Sequence, residues 1–341
     1  MVGAFTARQS FLEYDLTLGM TTMEGKGFYY PIDTAISQDG RIYTVSRSPT
    51  TAGRGVRVTV LNAESEYFGT FAAFGEGEGQ LIWPSGVAVD GGGRVHLSDI
   101  HLHNVSCFDP SGAFLYRWGA RGAGPGELDT PSSLAFDGED NLYVSDTYNN
   151  RIQKLTPGGE FILGFGSRGD GPGELSLPWG VTAAPDGDVY VADWGNDRIQ
   201  RYSGDGEFRG SYGAPGRGDG QFHRPSSVAV DRQGYVYVAD WGNERVQVLD
   251  PEGGFVIKLR GQATHSEWAA NFLRVNVEEA EARGRADLEP DLEFPDDDPH
   301  EESSHIEKLF WSPASVVLDA AGRVYVTETS RHRIQVYKRG A

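Results

Sequence analysis

Residues 190–200 read Tyr-Val-Ala-Asp-Trp-Gly-Asn-Asp-Arg-Ile-Gln, and residues 237–247 repeat this stretch as Tyr-Val-Ala-Asp-Trp-Gly-Asn-Glu-Arg-Val-Gln. Residues 143–153 carry a third version, Tyr-Val-Ser-Asp-Thr-Tyr-Asn-Asn-Arg-Ile-Gln. The three stretches start 47 residues apart. A fixed period of this length indicates a repeat architecture, so the repeat unit decides the fold.

A proline-led apolar segment precedes each of these stretches and extends the repeat to more copies. Four of the segments follow one another at intervals of 47 residues, at Pro84, Pro131, Pro178 and Pro225. Two outlying copies begin at Pro31, which lies 53 residues before Pro84, and at Pro313, which lies 88 residues after Pro225. The sequence therefore contains six copies, with one insertion of 6 residues and one of 41.

Each copy shows the short apolar–polar alternation of strands, interrupted by turn residues such as Asp-Gly-Gly-Gly. Four strands in a period of 47 residues are typical of a propeller blade. We predict an all-β fold, a six-bladed β-propeller of four-stranded antiparallel blades, that forms a single domain over 1–341. The last copy ends after three strands, and residues 10–14 resemble residues 112–116, so we predict that an N-terminal strand closes the last blade.

Composition and charge exclude several classes of protein. A single Cys cannot form a disulfide framework or a cysteine zinc cluster. A formal charge of -19 argues against a nucleic-acid partner and against binding to an anionic membrane. No run of 18 apolar residues and no signal-peptide core are present, so we expect a cytoplasmic protein; removal of a signal peptide before residue 1 remains an alternative.

The motif Asp193-x-x-Asn196-x-Arg198 and its copies resemble the NHL repeat. This resemblance implies a six-bladed propeller, and the family includes protein-binding and RNA-binding modules, sensor domains, and metal-dependent lyases or lactonases. Because the Asp and Arg recur blade after blade, we interpret them as structural groups that brace a loop. The chain has no Gly-x-Ser-x-Gly elbow and no His-Glu-x-x-His pair, so the sequence gives no support for a serine or zinc hydrolase of those types.

Aromatic, His and Arg side chains gather in loops that such a blade presents on one face of the ring. We predict a ligand-binding site there, formed by Tyr30, Trp83, His101, Tyr148, Trp179, Trp194, His223, Arg224, Trp241, Trp311, Arg331 and His332. Aromatic faces and a few orienting polar groups suit a binding mouth. The alternative is that the large rings pack between blades, above all the repeated Trp194 and Trp241.

Metal binding is a second hypothesis for the same face. His101 and His103 are one residue apart and could act with His223 or His332 as ligands, since family lyases hold a metal through histidine. Further candidate ligands for a divalent cation, Ca²⁺ or Zn²⁺, are Asp296, Asp298 and Glu302. A solvated histidine pair and a solvated acidic loop are the alternatives.

The longer insertion, residues 262–308, lies between blades 5 and 6. Thr264 and Glu267 resemble a capping box, and helical spacing of apolar residues predicts a helix over 265–283 that ends at Gly284. Residues 278–307 contain 13 acidic and 2 basic side chains, or -11 in net charge. We predict a lid of residues 265–311 over part of the binding mouth, with a solvated acidic loop as the alternative.

These observations favour a binding scaffold that recognises a small molecule or a protein partner on the loop face around the axis. The alternative is a metal-dependent lyase or lactonase-type enzyme that uses the same mouth.

Overall fold

The computed structural model describes residues 11–50, 53–294 and 298–340. They form six four-stranded antiparallel sheets, which we number as blades 1 to 6 along the chain. The innermost strands are Pro31–Ile36, Pro84–Val89, Pro131–Phe136, Pro178–Ala183, Pro225–Val230 and Pro313–Leu318. The second strands are Ile42–Ser46, Val95–Asp99, Leu142–Asp146, Val189–Asp193, Val236–Asp240 and Val324–Glu328.

The third and outermost strands complete the blades. The third strands are Arg57–Leu61, Asn104–Phe108, Arg151–Leu155, Arg198–Tyr202, Arg245–Leu249 and Arg333–Arg339. The outermost strands are Tyr67–Phe71, Phe114–Trp118, Phe161–Phe165, Phe208–Tyr212, Phe255–Leu259 and, for blade 6, Leu12–Leu18. A short parallel pair, Ala73–Phe74 with Gln80–Leu81, lies in the loop between blades 1 and 2.

The ring closes in the predicted way. Each innermost strand contacts the innermost strands of both neighbouring blades, and the first contacts the last. Leu12–Leu18 pairs antiparallel with Arg333–Arg339, so the N-terminal segment supplies the fourth strand of the last blade. The six-bladed β-propeller and its N-terminal closing strand are therefore confirmed.

The hydrophobic core lies between neighbouring blades because both sheet faces are covered there. At the joint of blades 4 and 5, Tyr190 and Ile199 pack with Phe222, Val228 and Val238. The second strand of every blade is buried along its whole length, as in Val189–Asp193. Strands with two covered faces explain the near-continuous Val, Ile, Leu and Tyr content of the repeat.

The antiparallel order gives the ring two different faces. The connections from an outermost strand to the next innermost strand, and from second to third strands, emerge on one face, which we call the loop face. The connections between first and second strands, such as residues 137–141, emerge on the opposite face, the turn face. Short 3-10 turns at Thr147–Asn149, Trp194–Asn196 and Trp241–Asn243 shape three of the loop-face connections.

The insertion contains three helices where we predicted one, so the prediction of a single helix over 265–283 is wrong. Helix α1 is Glu267–Val275, helix α2 is Val277–Arg285 and helix α3 is Pro299–His305. Asn276 separates the first two with a non-helical φ of -113° and ψ of 80°, and its side chain donates to the Phe272 carbonyl. Gly284 lies inside α2, and Ser266, not Thr264, is the N-cap of α1.

The insertion is fastened to the outer rim by a tryptophan. Trp268 is 2% exposed and packs against Phe28 and Tyr67, and its indole Nε1 donates to the Ser65 carbonyl at 2.7 Å. The N-cap Ser266 also donates to the carbonyl of Gly19. No helix in the described ranges is long and apolar enough to cross a membrane.

Candidate functional site

The repeated Asp, Asn and Arg of the motif bind the loop between two blades. Asp193 accepts the Ser176 N–H at 2.7 Å, and Asn196 and Arg198 donate to the same carboxylate at 2.8 and 2.9 Å. Arg198 also donates to the Glu174 carbonyl at 2.9 Å. Burial raises the pKa of Asp193, although these hydrogen bonds act in the opposite direction. The motif is thus used by the fold and leaves no free carboxylate for chemistry.

Two of the predicted histidines serve the joints between blades. His332 accepts the Tyr30 N–H through Nδ1 at 2.8 Å, and His103 accepts the Thr130 N–H in the same way at 3.1 Å. Burial lowers the pKa of His332 to about 4, which keeps the ring neutral and able to accept. Tyr30 packs edge-on against the His332 ring, so both of these predicted site residues belong to one structural joint.

The insertion covers the loops of blades 5 and 6. Arg331 donates to the carbonyls of Ser303 and Ser304 at the end of α3, at 2.8 and 3.1 Å. Trp311 lies under the Arg331 guanidinium, 5.2 Å from ring centroid to carbon, and its Nε1 lies 3.3 Å from His300 of α3. Helix α3 also contacts the turn that carries Trp241. Three predicted site residues therefore lie beside or beneath the insertion.

Apart from Trp179, the remaining predicted residues lie on the loops of blades 2 to 4 and on the loop between blades 4 and 5, which the described part of the insertion does not cover. Trp83 is 47% exposed and Tyr148 is 61% exposed. Arg224 stacks on the Trp194 ring at 4.7 Å, and His101 and His223 are exposed. We call this surface the open loop half; it comprises Trp83, His101, Tyr148, Trp194, His223 and Arg224. Trp179, half-buried, is the second residue of its innermost strand.

The predicted metal ligands do not come together in the part of the chain that the structure describes. No group of three or more His, Cys, Asp or Glu side chains placed to hold an ion occurs among the described residues. Asp298 is the N-cap of α3 and Glu302 forms an ion pair with Arg260, while Asp296 lies outside the described residues. With His103 used by a blade joint, the described residues do not fit a divalent-metal centre.

The structure contains an axial cavity of about 730 Å³ that was not predicted from the sequence. It opens on the turn face, opposite to the predicted site, and is lined by innermost-strand residues that include Asp33. Asp33 accepts the N–H groups of Thr34 and Val87, each at 2.9 Å, and burial raises its pKa to about 6. An alignment of the six copies marks Asp33 as an exception, because the equivalent residues are Gly or Ser. They are Gly86, Ser133, Gly180, Ser227 and Ser315.

A second cavity, of about 620 Å³, lies between the insertion and the loops of blade 6. Phe272 and Arg283 of the insertion line one side, and Met20, Arg331 and His332 line the other. Arg283 forms an ion pair with Glu307, and His332 accepts a backbone N–H, so these polar groups already have partners.

Comparison with known proteins supports the fold. The NHL repeat family model matches residues 128–155, 175–202, 222–249 and 310–337. No curated protein matches the chain by sequence.

Solved structures resemble the chain over nearly its whole length. A streptogramin B lyase is 12% identical with a TM-score of 0.56, covering 97% of this chain and 98% of its own. A catalytically inactive virginiamycin B lyase from Staphylococcus aureus with quinupristin has the same identity and TM-score, covering 96% and 99%. A protein of unknown function from Bacteroides thetaiotaomicron is 17% identical with a TM-score of 0.60, covering 96% and 75%. At such identities the likeness concerns the fold alone. The chain is therefore a six-bladed β-propeller that carries NHL repeats in four of its blades.

Proposed function

We propose that the chain is a recognition scaffold that binds a protein partner through the open loop half. The observation that carries this proposal is the exposure of Trp83 and Tyr148, which are 47% and 61% exposed on loops held by rigid blades. Large aromatic side chains that stay exposed on loops of a rigid scaffold are typical of binding surfaces.

The chemistry of the open loop half suits a protein interface. Trp, Tyr and Arg are the residues that most often dominate binding energy in interfaces, and all three occur here. The stacking of Arg224 on Trp194 at 4.7 Å holds both side chains in place before a partner arrives. Such preorganisation lowers the entropy cost of association.

The position of the insertion supports the choice of surface. Helix α3 contacts the Trp241 turn and Arg331, so the loops of blades 5 and 6 are partly covered by the chain itself. The loops that carry Trp83, His101 and Tyr148 have no such cover among the described residues. We infer that the insertion restricts partners to the other side of the loop face, which is a narrower role than a lid over a central mouth.

The enzyme alternative has weaker support. Streptogramin B lyase has the same fold, but 12% identity transfers no activity. A metal-dependent reaction needs a set of ligands, and the described residues do not assemble three candidates in one place. A charge of -19 argues against a nucleic-acid partner, because the phosphate backbone is also negative.

A peptide-display experiment tests the proposal. A phage library of random peptides is selected on the wild-type protein, and the affinity of the enriched peptides is measured by fluorescence anisotropy. We expect Trp83→Ala with Tyr148→Ala to weaken binding at least about tenfold, the loss of a typical hot spot. The matched control is Phe161→Ala with Phe208→Ala, which removes two rings that are 41% and 39% exposed on outermost strands.

Each outcome of this experiment decides the proposal. Loss of binding in the loop variant with the control unchanged supports it. Failure to enrich any peptide, equal affinity for the loop variant and the wild type, or loss only in the control variant overturns it. Circular dichroism and thermal unfolding of each variant show whether a loss reflects the surface or the fold.

A further inference from the structure

The axial cavity has the size and lining of a small-molecule site. Its volume of about 730 Å³ lies within the range of typical ligand pockets. Its wall combines apolar residues, among them Val87, Leu134 and Val316, with polar residues such as Asp33 and Thr34. It opens on the turn face, away from the open loop half, so it is independent of the proposed protein-binding surface.

One carboxylate stands in this wall without a cationic partner. Among the described residues, Asp33 accepts hydrogen bonds from two backbone N–H groups, lies beside the Ser315 hydroxyl as a further donor, and pairs with no Lys or Arg. The two oxygens of a carboxylate offer about four acceptor positions, and these three donors leave about one of them open. Acceptor capacity therefore remains free in a half-buried position, where an attractive charge is worth more than in water.

The blade joint does not require a carboxylate at this position. The Val87 N–H, which Asp33 accepts at 2.9 Å, belongs to the neighbouring innermost strand. In two other joints a serine hydroxyl accepts the equivalent N–H: Ser133 accepts from Val181 at 3.3 Å and Ser227 accepts from Val316 at 3.2 Å. A serine is therefore sufficient for the hydrogen bond to the neighbouring strand, and this bond does not require the negative charge of Asp33.

The charges at the mouth of the cavity are mostly neutralised in pairs. Arg339 lies 2.6 Å from Asp231, and Arg323 lies 2.7 Å from Asp319. Arg232 also lines the mouth, but it is exposed, and water and salt screen its charge. Asp33 is therefore the unneutralised charge within the cavity, and it is negative.

We propose that the axial cavity binds a small organic cation, a protonated primary amine with an apolar body, whose ammonium group pairs with Asp33. The ammonium donates to the open acceptor position of the carboxylate, and the apolar residues of the wall contact the apolar body. A neutral molecule of the same shape lacks the charge-assisted hydrogen bond and binds more weakly.

The test uses primary alkyl amines from propylamine to octylamine, with hexan-1-ol as the neutral probe. Binding is measured by NMR chemical-shift titration of the full chain at neutral pH. We expect saturable binding of at least one amine, and about tenfold or greater weakening in Asp33→Ser. Because Ser133 and Ser227 show that serine serves this joint, Asp33→Ser is expected to fold. The control Asp39→Asn removes an exposed carboxylate from a turn on the same face.

The possible results separate this proposal from general charge effects. Equal weakening in Asp33→Ser and Asp39→Asn shows attraction to a negative surface and overturns it. Equal affinity for hexan-1-ol and hexylamine, or no saturable binding of any amine up to millimolar concentration, also overturns it. If Asp33→Ser does not fold, Asp33→Asn, which keeps the size of the side chain, provides the same comparison.

Discussion

The ring nitrogen Nδ1 of His332 lies 2.8 Å from the backbone nitrogen of Tyr30 and accepts its hydrogen bond across the joint between blades 6 and 1. The residues are 302 positions apart in the chain, so this bond helps to close the ring. Both have a positive φ, 53° for His332 and 46° for Tyr30. The joint between blades 3 and 4 has the same arrangement, with Asn150 accepting from Leu177 at 3.0 Å.

We predict that His332→Ala is less stable than the wild type by about 1–2 kcal/mol, because the Tyr30 N–H loses its acceptor at a half-buried site. His332→Asn is the matched control. Its amide oxygen can accept in the manner of Asn150, and Asn tolerates positive φ. Urea unfolding of the three proteins measures the difference. Equal stability of the Ala and Asn variants would contradict a role for the hydrogen bond.

The same histidine predicts a dependence of stability on pH. Burial lowers the pKa of His332 to about 4, below the ordinary value of 6.5, so the unfolded chain binds a proton first as the pH falls. Its contribution to stability is therefore complete above about pH 6.5 and declines between pH 6.5 and 4. We expect the wild type to lose roughly 1–2 kcal/mol more than His332→Asn between pH 7.5 and 5. Thermal unfolding of both proteins across this pH range measures the difference. If the wild type and His332→Asn lose stability equally, the titration of His332 does not contribute.

The blades and their closure were predictable because the information is local and repeated. Apolar alternation marks each strand, and the truncated last copy points to the N-terminal strand that completes it. The roles of His103 and His332 were not predictable, since each accepts from a residue of the next blade. Periodicity within a blade contains no information about such partners.

The candidate site was also predictable only in part. The sequence placed aromatic residues on one face, but it did not show that the insertion covers Trp241 and Trp311, which depends on how α3 packs. The break at Asn276 was missed because the apolar spacing of residues 268–275 does not itself mark an end. Asp33 was not predicted for a different reason: apolar alternation identifies the innermost strands, but it does not show that their third residues line an axial cavity.

The N-terminal closing strand predicts a loss of stability on deletion that an added peptide can partly restore. Deletion of residues 1–18 removes the strand Leu12–Leu18, which pairs with Arg333–Arg339, and leaves the edge of blade 6 open. We expect the midpoint of thermal unfolding to fall by more than about 10 °C. A synthetic peptide of residues 1–18 should restore part of this loss in a concentration-dependent manner. A peptide of the same composition in scrambled order is the control, and an unchanged midpoint after deletion would disprove the closure.

Trp268 gives a prediction for the insertion. Its indole is 2% exposed and fills the rim between blades 6 and 1, so Trp268→Ala removes a buried ring and the hydrogen bond to Ser65. We expect the free energy that holds the insertion on the propeller to fall by about 3–5 kcal/mol. Limited proteolysis should then cleave residues 262–308 faster than in the wild type. Phe272→Ala is the control on the same helix, because Phe272 is 41% exposed. Cleavage at the wild-type rate in Trp268→Ala would show that other contacts hold the insertion.

The first blade departs from the motif in a way that a single substitution can repair. Ser46 stands where blades 3 to 5 have Asp, yet the arginine of the motif is kept as Arg57. Arg57 is buried and donates through its terminal nitrogens to the Met23 and Gly27 carbonyls, but its Nε has no acceptor among the described residues. Burial lowers the pKa of this guanidinium, which shows the cost of a buried charge without a counter-ion.

We predict that Ser46→Asp stabilises the protein by about 1–3 kcal/mol at neutral pH, because the carboxylate can accept from Arg57 Nε as Asp193 accepts from Arg198. It can also accept the Tyr29 N–H, which the Ser46 hydroxyl accepts at 3.3 Å. Ser46→Asn is the control, since it offers an acceptor of similar size without the charge. Urea unfolding at pH 7 measures the free energy of unfolding of both variants. If the Asp variant is no more stable than the Asn variant, a negative charge beside Arg57 does not stabilise blade 1.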